Sequence, residues 1–347
     1  MHHANTPSRG IRSRIALPVL ALALAAALLA PAAAQAVTID YSDGVVEVTG
    51  TEGSDDVSFA NAYDDFSMDD TTRIRIYGDD GSTVTPAAAA VCTDMNSDDN
   101  IWESNVWHCP RPTKVVVSLL GGDDFLSAYE NGELPFTISL EVDAGAGNDR
   151  LDGGTGDDVF RGGPGDDNLT GRDGDDKIYG EAGNDILNGD FGDSSPGGND
   201  LLDGGAGDDT FEDYVGLGYP ASLKGDDTYI GGPGEDNFSY FHRAQPVRIS
   251  LDGVANDGMA GEKDNIHPDI ESVGGSYGDD VIVGSPGDDT LWGSDGDDQI
   301  SGGAGDDDLH GDDGEDRIDG GRGNDELDGG CMSDVLIGGP GRDSFNS

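Results

Sequence analysis

The chain has 347 residues, with 18 basic and 71 acidic side chains and a formal charge of -53. So acidic a chain repels polyanions, which excludes nucleic acid and an anionic membrane surface as partners. With 7% aromatics it has the composition of a disordered chain, unless its acids stand at fixed places and a multivalent cation gathers them.

In chain order, residues 1–36 read as a secretory signal peptide. Arg9, Arg12 and Arg14 precede an apolar run from Ile15 to Ala30, and Ala34-Gln35-Ala36 has the small-x-small form of a cleavage site. The run is too short and wrongly flanked for a membrane span. The mature chain is therefore expected to begin near Val37 and to be secreted, extracellular. Cysteine usage fits that compartment. Cys92 and Cys109 close a short loop and are expected to form a disulfide, since they lack the paired spacing of a zinc site. Cys331 is left over.

Residues 37–113 read as a small N-terminal β-rich segment. Arg73-Ile74-Arg75-Ile76-Tyr77 alternates strictly, and Asp43-Gly44 and Gly78-Asp79-Asp80-Gly81 are turn signals. This segment is either a separate domain or the opening coils of the repetitive region, because Gly50-Thr51-Glu52-Gly53-Ser54-Asp55-Asp56-Val57 is a degenerate form of the later repeat.

From residue 114 the chain counts in nines. One unit reads Gly302-Gly303-Ala304-Gly305-Asp306-Asp307-Asp308-Leu309-His310. A first block spans 114–239, an interrupting strand and loop spans 240–274, and a second block spans 275–347. The sixth-position acids of the first block are Asp149, Asp158, Asp167, Asp176, Asp185, Asp209, Asp227 and Asp236. Those of the second are Asp280, Asp289, Asp298, Asp307, Asp316, Asp325, Asp334 and Asp343. The eighth position is apolar, as at Leu291, Ile300 and Leu309. A fixed nine-residue period with turn glycines, one acid and one apolar residue predicts an all-β fold, a parallel β-roll or β-solenoid.

The spacing carries its own chemistry. Side chains alternate along a strand, so position 8 faces inward and positions 7 and 9 outward. Glycines at positions 1, 2 and 4 are expected to take positive φ in the turns. Two units make one coil, which sets Asp289 over Asp307 and Asp307 over Asp325. Each coil buries only two apolar side chains, too few to offset the ordering of its residues, and the stacked carboxylates repel. Several Ca²⁺ ions between stacked turns resolve both problems, because Ca²⁺ takes six to eight oxygens from carboxylates and carbonyls. Mg²⁺ demands a stricter octahedron. Metal binding and folding then become one event.

The units Gly-Gly-x-Gly-x-Asp-x-apolar-x resemble the RTX (repeat-in-toxin) nonapeptide. The resemblance implies a right-handed parallel β-roll with Ca²⁺ between consecutive same-side turns. The wider layout resembles secreted calcium-binding proteins of high-GC bacteria. Many RTX proteins are exported by a C-terminal signal, whereas this chain is expected to use its N-terminal one. The unit from Gly329 has Met332 where glycine belongs, and the roll closes on an ordinary unit whose last coil is expected to be frayed or covered by a partner.

No catalytic constellation accompanies the repeats. None of the six His residues forms His-Glu-x-x-His. Gly274-Gly275-Ser276-Tyr277-Gly278 fits the Gly-x-Ser-x-Gly nucleophile elbow formally, but it overlaps a repeat turn and lacks a strand-to-helix context. Gly192-Asp193-Ser194 lies in a repeat insertion without a histidine in register. Acid pairs such as Asp157-Asp158 and Asp288-Asp289 follow the repeat and read as turn and metal residues, not glycosidase carboxylates. Trp102, Trp107 and His108 beside Cys109 are expected to be a small disulfide-bounded core, and Trp292 faces outward. The expectation is a secreted, non-enzymatic calcium-binding protein folded by Ca²⁺. The alternatives are a surface adhesin or matrix component with a cell-surface partner, or a hydrolase with a site in residues 37–140.

Overall fold

The computed structural model of the chain describes residues 37–61, 73–77, 83–84, 92–94, 106–128, 136–190, 197–213, 225–241 and 243–346. The signal peptide, Trp102 and Gly192-Asp193-Ser194 lie outside them. Among the described residues every regular element is a strand, and none is a helix long and apolar enough to cross a membrane.

The strands build two facing walls. One wall is a continuous 15-stranded sheet; the other is divided into a 10-stranded and a 6-stranded sheet. Each pair of nine-residue units contributes one short strand to each wall, and strands in a wall pair in parallel with the coil before and after. Leu291 pairs with Leu309 and Leu309 with Leu327 in the first wall. Ile282, Ile300 and Ile318 align likewise in the second. The molecule is a parallel β-roll.

The period explains the core. Eighth-position side chains point between the walls, where Leu151, Phe160, Leu169, Ile178, Leu187, Leu291, Leu309 and Leu327 are fully buried. Their neighbours at positions 7 and 9 face out, as in the exposed–buried–intermediate pattern of Arg150–Asp152. Trp292 and His310 occupy equivalent outward places on paired strands, and their rings stack with centroids 5.8 Å apart.

The glycines divide in a way that the repeat pattern does not predict. Positive φ falls at positions 2 and 4 of many units, as at 110° for Gly303 and 146° for Gly305. Position 1 does not. Its glycine is required by close approach: a Cβ on Gly302 would lie 2.2 Å from Asp307 Oδ2.

Residues 37–113 hold the opening coil and its cover. Val45–Thr51 pairs in parallel with Lys114–Leu120, and Asp56–Asn61 with Phe125–Ser127, so both walls begin here. Thr38–Ser42 then lies antiparallel on one strand of this coil and Arg73–Tyr77 on the other. Val106–Pro110 continues the antiparallel cover. Terminal coils of a solenoid need such protection because their edges are otherwise open to pairing. Cys92 and Cys109 are disulfide-bonded, and Trp107 beside them is buried. Cys331 is an exposed free thiol.

Residues 240–274 splice the roll. Asn265–Ile266 is the last strand of the 10-stranded sheet, Val247–Ser250 sits within the 6-stranded sheet, and Ser272–Gly274 keeps the 15-stranded wall unbroken. The stretch with the sequence of a polar loop, 252–268, thus supplies two short strands, Gly258–Met259 and Asn265–Ile266. In the last coil Leu336 is partly buried, while Val335, Ile337 and Phe345 are exposed.

Candidate metal centre

The sixth-position acid ends a turn and directly precedes a strand, so strand pairing stacks the carboxylates as well. One hydrogen bond repeats at each step: the backbone N–H of an Asp donates to Oδ1 of the Asp one coil later. Asp289 donates to Asp307 at 3.0 Å, and Asp307 to Asp325 at 3.2 Å.

These steps sort the acids into three columns. The first follows the 15-stranded wall through Asp55, Asp124, Asp149, Asp167, Asp185, Asp209, Asp236 and Glu271, then through Asp289, Asp307, Asp325 and Asp343. The second follows the 10-stranded sheet through Asp158, Asp176, Asp200, Asp227 and Asp264. The third follows the 6-stranded sheet through Asp280, Asp298, Asp316 and Asp334. Met332 adopts a positive φ of 84° in place of the usual glycine, and Asp334 keeps its place in the third column.

Five members were not among the expected ligands: Asp55 and Asp124 at the start of the first column, and Asp200, Asp264 and Glu271. Asp200 is displaced by an insertion, so it lies 24 residues after Asp176 instead of the usual 18. Asp264 and Glu271 sit in the splice, where the glycine pattern is lost. The surviving signal was an acid two residues before a buried apolar residue: Asp264-Asn265-Ile266 and Glu271-Ser272-Val273.

The two oxygens of each carboxylate have different fates. Oδ1 is used in stacking. Oδ2 is buried without a hydrogen-bond partner at Asp124, Asp149, Asp167, Asp176, Asp185, Asp209, Asp236, Asp298, Asp307, Asp316 and Asp325. The turns that begin each column are different. At Asp55, Asp158 and Asp280, and at Asp289 where the first column resumes after Glu271, Oδ2 accepts the N–H of the second-position residue. That residue is Thr51, Gly154, Ser276 and Ser285 respectively, and none of the four has positive φ. Left-handed backbone at position 2 turns this N–H away and leaves Oδ2 open in the interior turns. Ser276 therefore has a structural duty: its buried Oγ lies 2.9 Å from both Asp280 Oδ1 and the Gln245 carbonyl, which rules it out as an exposed nucleophile.

Burial and crowding show in the titration of these groups. Desolvation, then the charge of Asp158, pushes Asp176 up to about 10. Desolvation, followed by Asp200 and Asp264, pushes Asp227 up to about 9. In the first column desolvation raises Asp124, Asp167 and Asp236 to about 7. The fifth-position partners are placed otherwise. Asp157 is exposed and accepts the Asp175 N–H, so the pair Asp157-Asp158 faces two environments and cannot work as two facing carboxylates.

This donor set fits Ca²⁺. Oxygen donors only, many of them carboxylate, with backbone carbonyls beside them, suit a hard cation of flexible coordination. The open Oδ2 atoms of consecutive acids in a column would hold it, and the ion would supply the positive charge that the buried carboxylates lack. A Gly302→Ala variant tests the arrangement, since its methyl group must displace the Asp307 carboxylate. Isothermal titration should show it binding fewer Ca²⁺ than the unchanged chain at the same free calcium; equal stoichiometry would refute the role of that oxygen.

No curated protein matches the chain. The family model described as the RTX calcium-binding nonapeptide repeat (4 copies) matches residues 141–169, 161–195, 197–212, 274–309 and 301–330. Each matched stretch lies on the columns, and the columns continue past the matches to Asp55 at one end and Asp343 at the other. Over these matched stretches the periodic turns of the β-roll carry the RTX calcium-binding nonapeptide repeat.

Proposed function

We propose that this is a secreted, non-enzymatic protein that binds several Ca²⁺ ions along its carboxylate columns and depends on them to fold. The observation that carries the reading is the set of buried Oδ2 atoms without partners. Leaving a buried charge uncompensated is costly, and each interior turn repeats that cost. A divalent cation between consecutive acids removes it, so binding free energy becomes folding free energy. The Cys92–Cys109 disulfide supports an oxidising, extracellular compartment. Extracellular calcium, about 10⁻⁴–10⁻³ M, is the matching regime. Far-UV circular dichroism of the mature chain tests the coupling. Strong β signal in millimolar Ca²⁺ and its loss in EDTA are expected; identical spectra would refute it.

A further inference from the structure

One place in the roll has more negative charge than the repeat requires. Asp190, Asp200 and Asp227 each offer a carboxylate oxygen, and the three oxygens lie within 4.8 Å of one another, all on buried residues. Asp200 and Asp227 are consecutive acids of the second column. Asp190 is not a column acid. It occupies the second position of the unit from Gly189, just before the insertion. The chain closes tightly on it when it returns: a Cβ on Gly197 would lie 1.9 Å from Asp190 Oδ2.

Two further carboxylates bear on this cluster. Asp176 is 1% exposed, and its Oδ2 has no hydrogen-bond partner. It is one coil before Asp200, to whose Oδ1 its N–H donates at 2.8 Å, and the charges of Asp200 and Asp190 both act on it. Asp213 is 7% exposed, its Oδ1 has no partner, and its charge acts on Asp227. Arg243 pairs with the other oxygen of Asp213 and with Glu262.

We propose that Asp190, Asp200 and Asp227 together hold one Ca²⁺ more tightly than the repeat sites, so that this ion enters the roll first and leaves last. The inference rests on the calcium reading of the columns. Calcium affinity rises with the number of charged ligands and the rigidity of the site. A stacked pair of turns brings together two sixth-position carboxylates; here a third converges, with two more close by. The buried setting also works against Mg²⁺, which dehydrates reluctantly and keeps several waters. The first ion would order the coils on either side of the insertion, from Asp176 to Asp227, and so give the neighbouring turns a folded edge to stack on.

The test uses the full chain, stripped of metal and titrated with Ca²⁺ against a chromophoric chelator, with the retained ion measured after gel filtration in metal-free buffer. The unchanged chain should show one ion per chain at least about tenfold tighter than the rest. Asp190→Asn should abolish that tight class and leave the weaker ions in place. Asp307→Asn, far along the first column, should reduce the weaker class and spare the tight one. A single class in the unchanged chain overturns the proposal even if Asp190→Asn does not fold. So does a tight class that survives Asp190→Asn or is lost in Asp307→Asn. In each of those results calcium still binds, and the reading of the columns stands. No calcium bound by any form would sink that reading as well.

Discussion

Acidifying the metal-free protein from about pH 8 to about pH 5 is expected to stabilise it, while the same change in millimolar Ca²⁺ destabilises it. Burial raises the folded-state pKa of the column acids, to about 7 at Asp124, Asp158, Asp167, Asp236 and Asp298 and higher at Asp176 and Asp227. In an unfolded chain an Asp titrates near 3.9. A group raised on folding adds stability that is complete below its unfolded value and is lost as pH rises through its folded value. For the metal-free roll that loss begins near the unfolded value of about 4, where the unfolded acids ionise first. It is complete by about 7 for Asp124, Asp167, Asp236 and Asp298 and continues to the higher values of Asp176 and Asp227 in the second column. Protons thus substitute for the missing cation. With calcium present the sign reverses, because the ion binds carboxylates, and protonation competes with it. Thermal melts across this pH range, in EDTA and in Ca²⁺, measure both arms. A metal-free protein equally stable at both pH values would remove the electrostatic explanation of its calcium dependence.

Arg243→Met is expected to destabilise the calcium-loaded protein by about 3–5 kcal/mol, the usual cost of breaking a buried ion pair from one side. The Arg243 side chain is 1% exposed and pairs with Asp213 and Glu262. Its guanidinium also lies over the Tyr240 ring, 4.4 Å from the centroid, and the Tyr240 hydroxyl donates to Asp264, the last acid of the second column. Methionine fills much of the space but leaves the buried Asp213 and the half-buried Glu262 without a counter-charge. Urea denaturation in saturating Ca²⁺ gives the measurement. A loss below about 1 kcal/mol, the range of an exposed pair, would mean that the splice does not depend on this network. A variant that also neutralises Asp213 should recover part of the loss, since the two residues form one pair.

The network clarifies how the roll crosses an interruption. At the splice the repeat glycines disappear, and with them the turns that leave Oδ2 open. Glu262 stands where the fourth-position glycine would be, two residues before Asp264. The fixed positive charge of Arg243 neutralises acids there in a way that does not depend on metal. The second column ends at Asp264, the third begins at Asp280 with the self-capped Ser276 turn, and the first passes through by way of Glu271.

Much of this molecule was legible in its sequence, because a roll of short units makes distant contacts follow from local spacing. Once two units close a coil, residues eighteen apart must stack. The buried eighth positions, the outward seventh and ninth, and the placing of Asp149, Asp167 and Asp185 in one line all come from counting. Chemistry then came from placement, since acids forced into a buried line need a cation. Position 1 departs from expectation because its constraint is a contact: glycine is required there by the nearby Asp carboxylate, and a conformational preference alone cannot reveal that. Only the tertiary structure decided which strands of residues 240–274 belong to which wall, that Asp264 and Glu271 continue columns while lacking the repeat, and that Asp190 meets Asp200 and Asp227. Those outcomes depend on which coil a segment stacks upon. Where an insertion or a degenerate turn breaks the count, stacking is set by packing and charge across the coils, and spacing along the chain no longer encodes it.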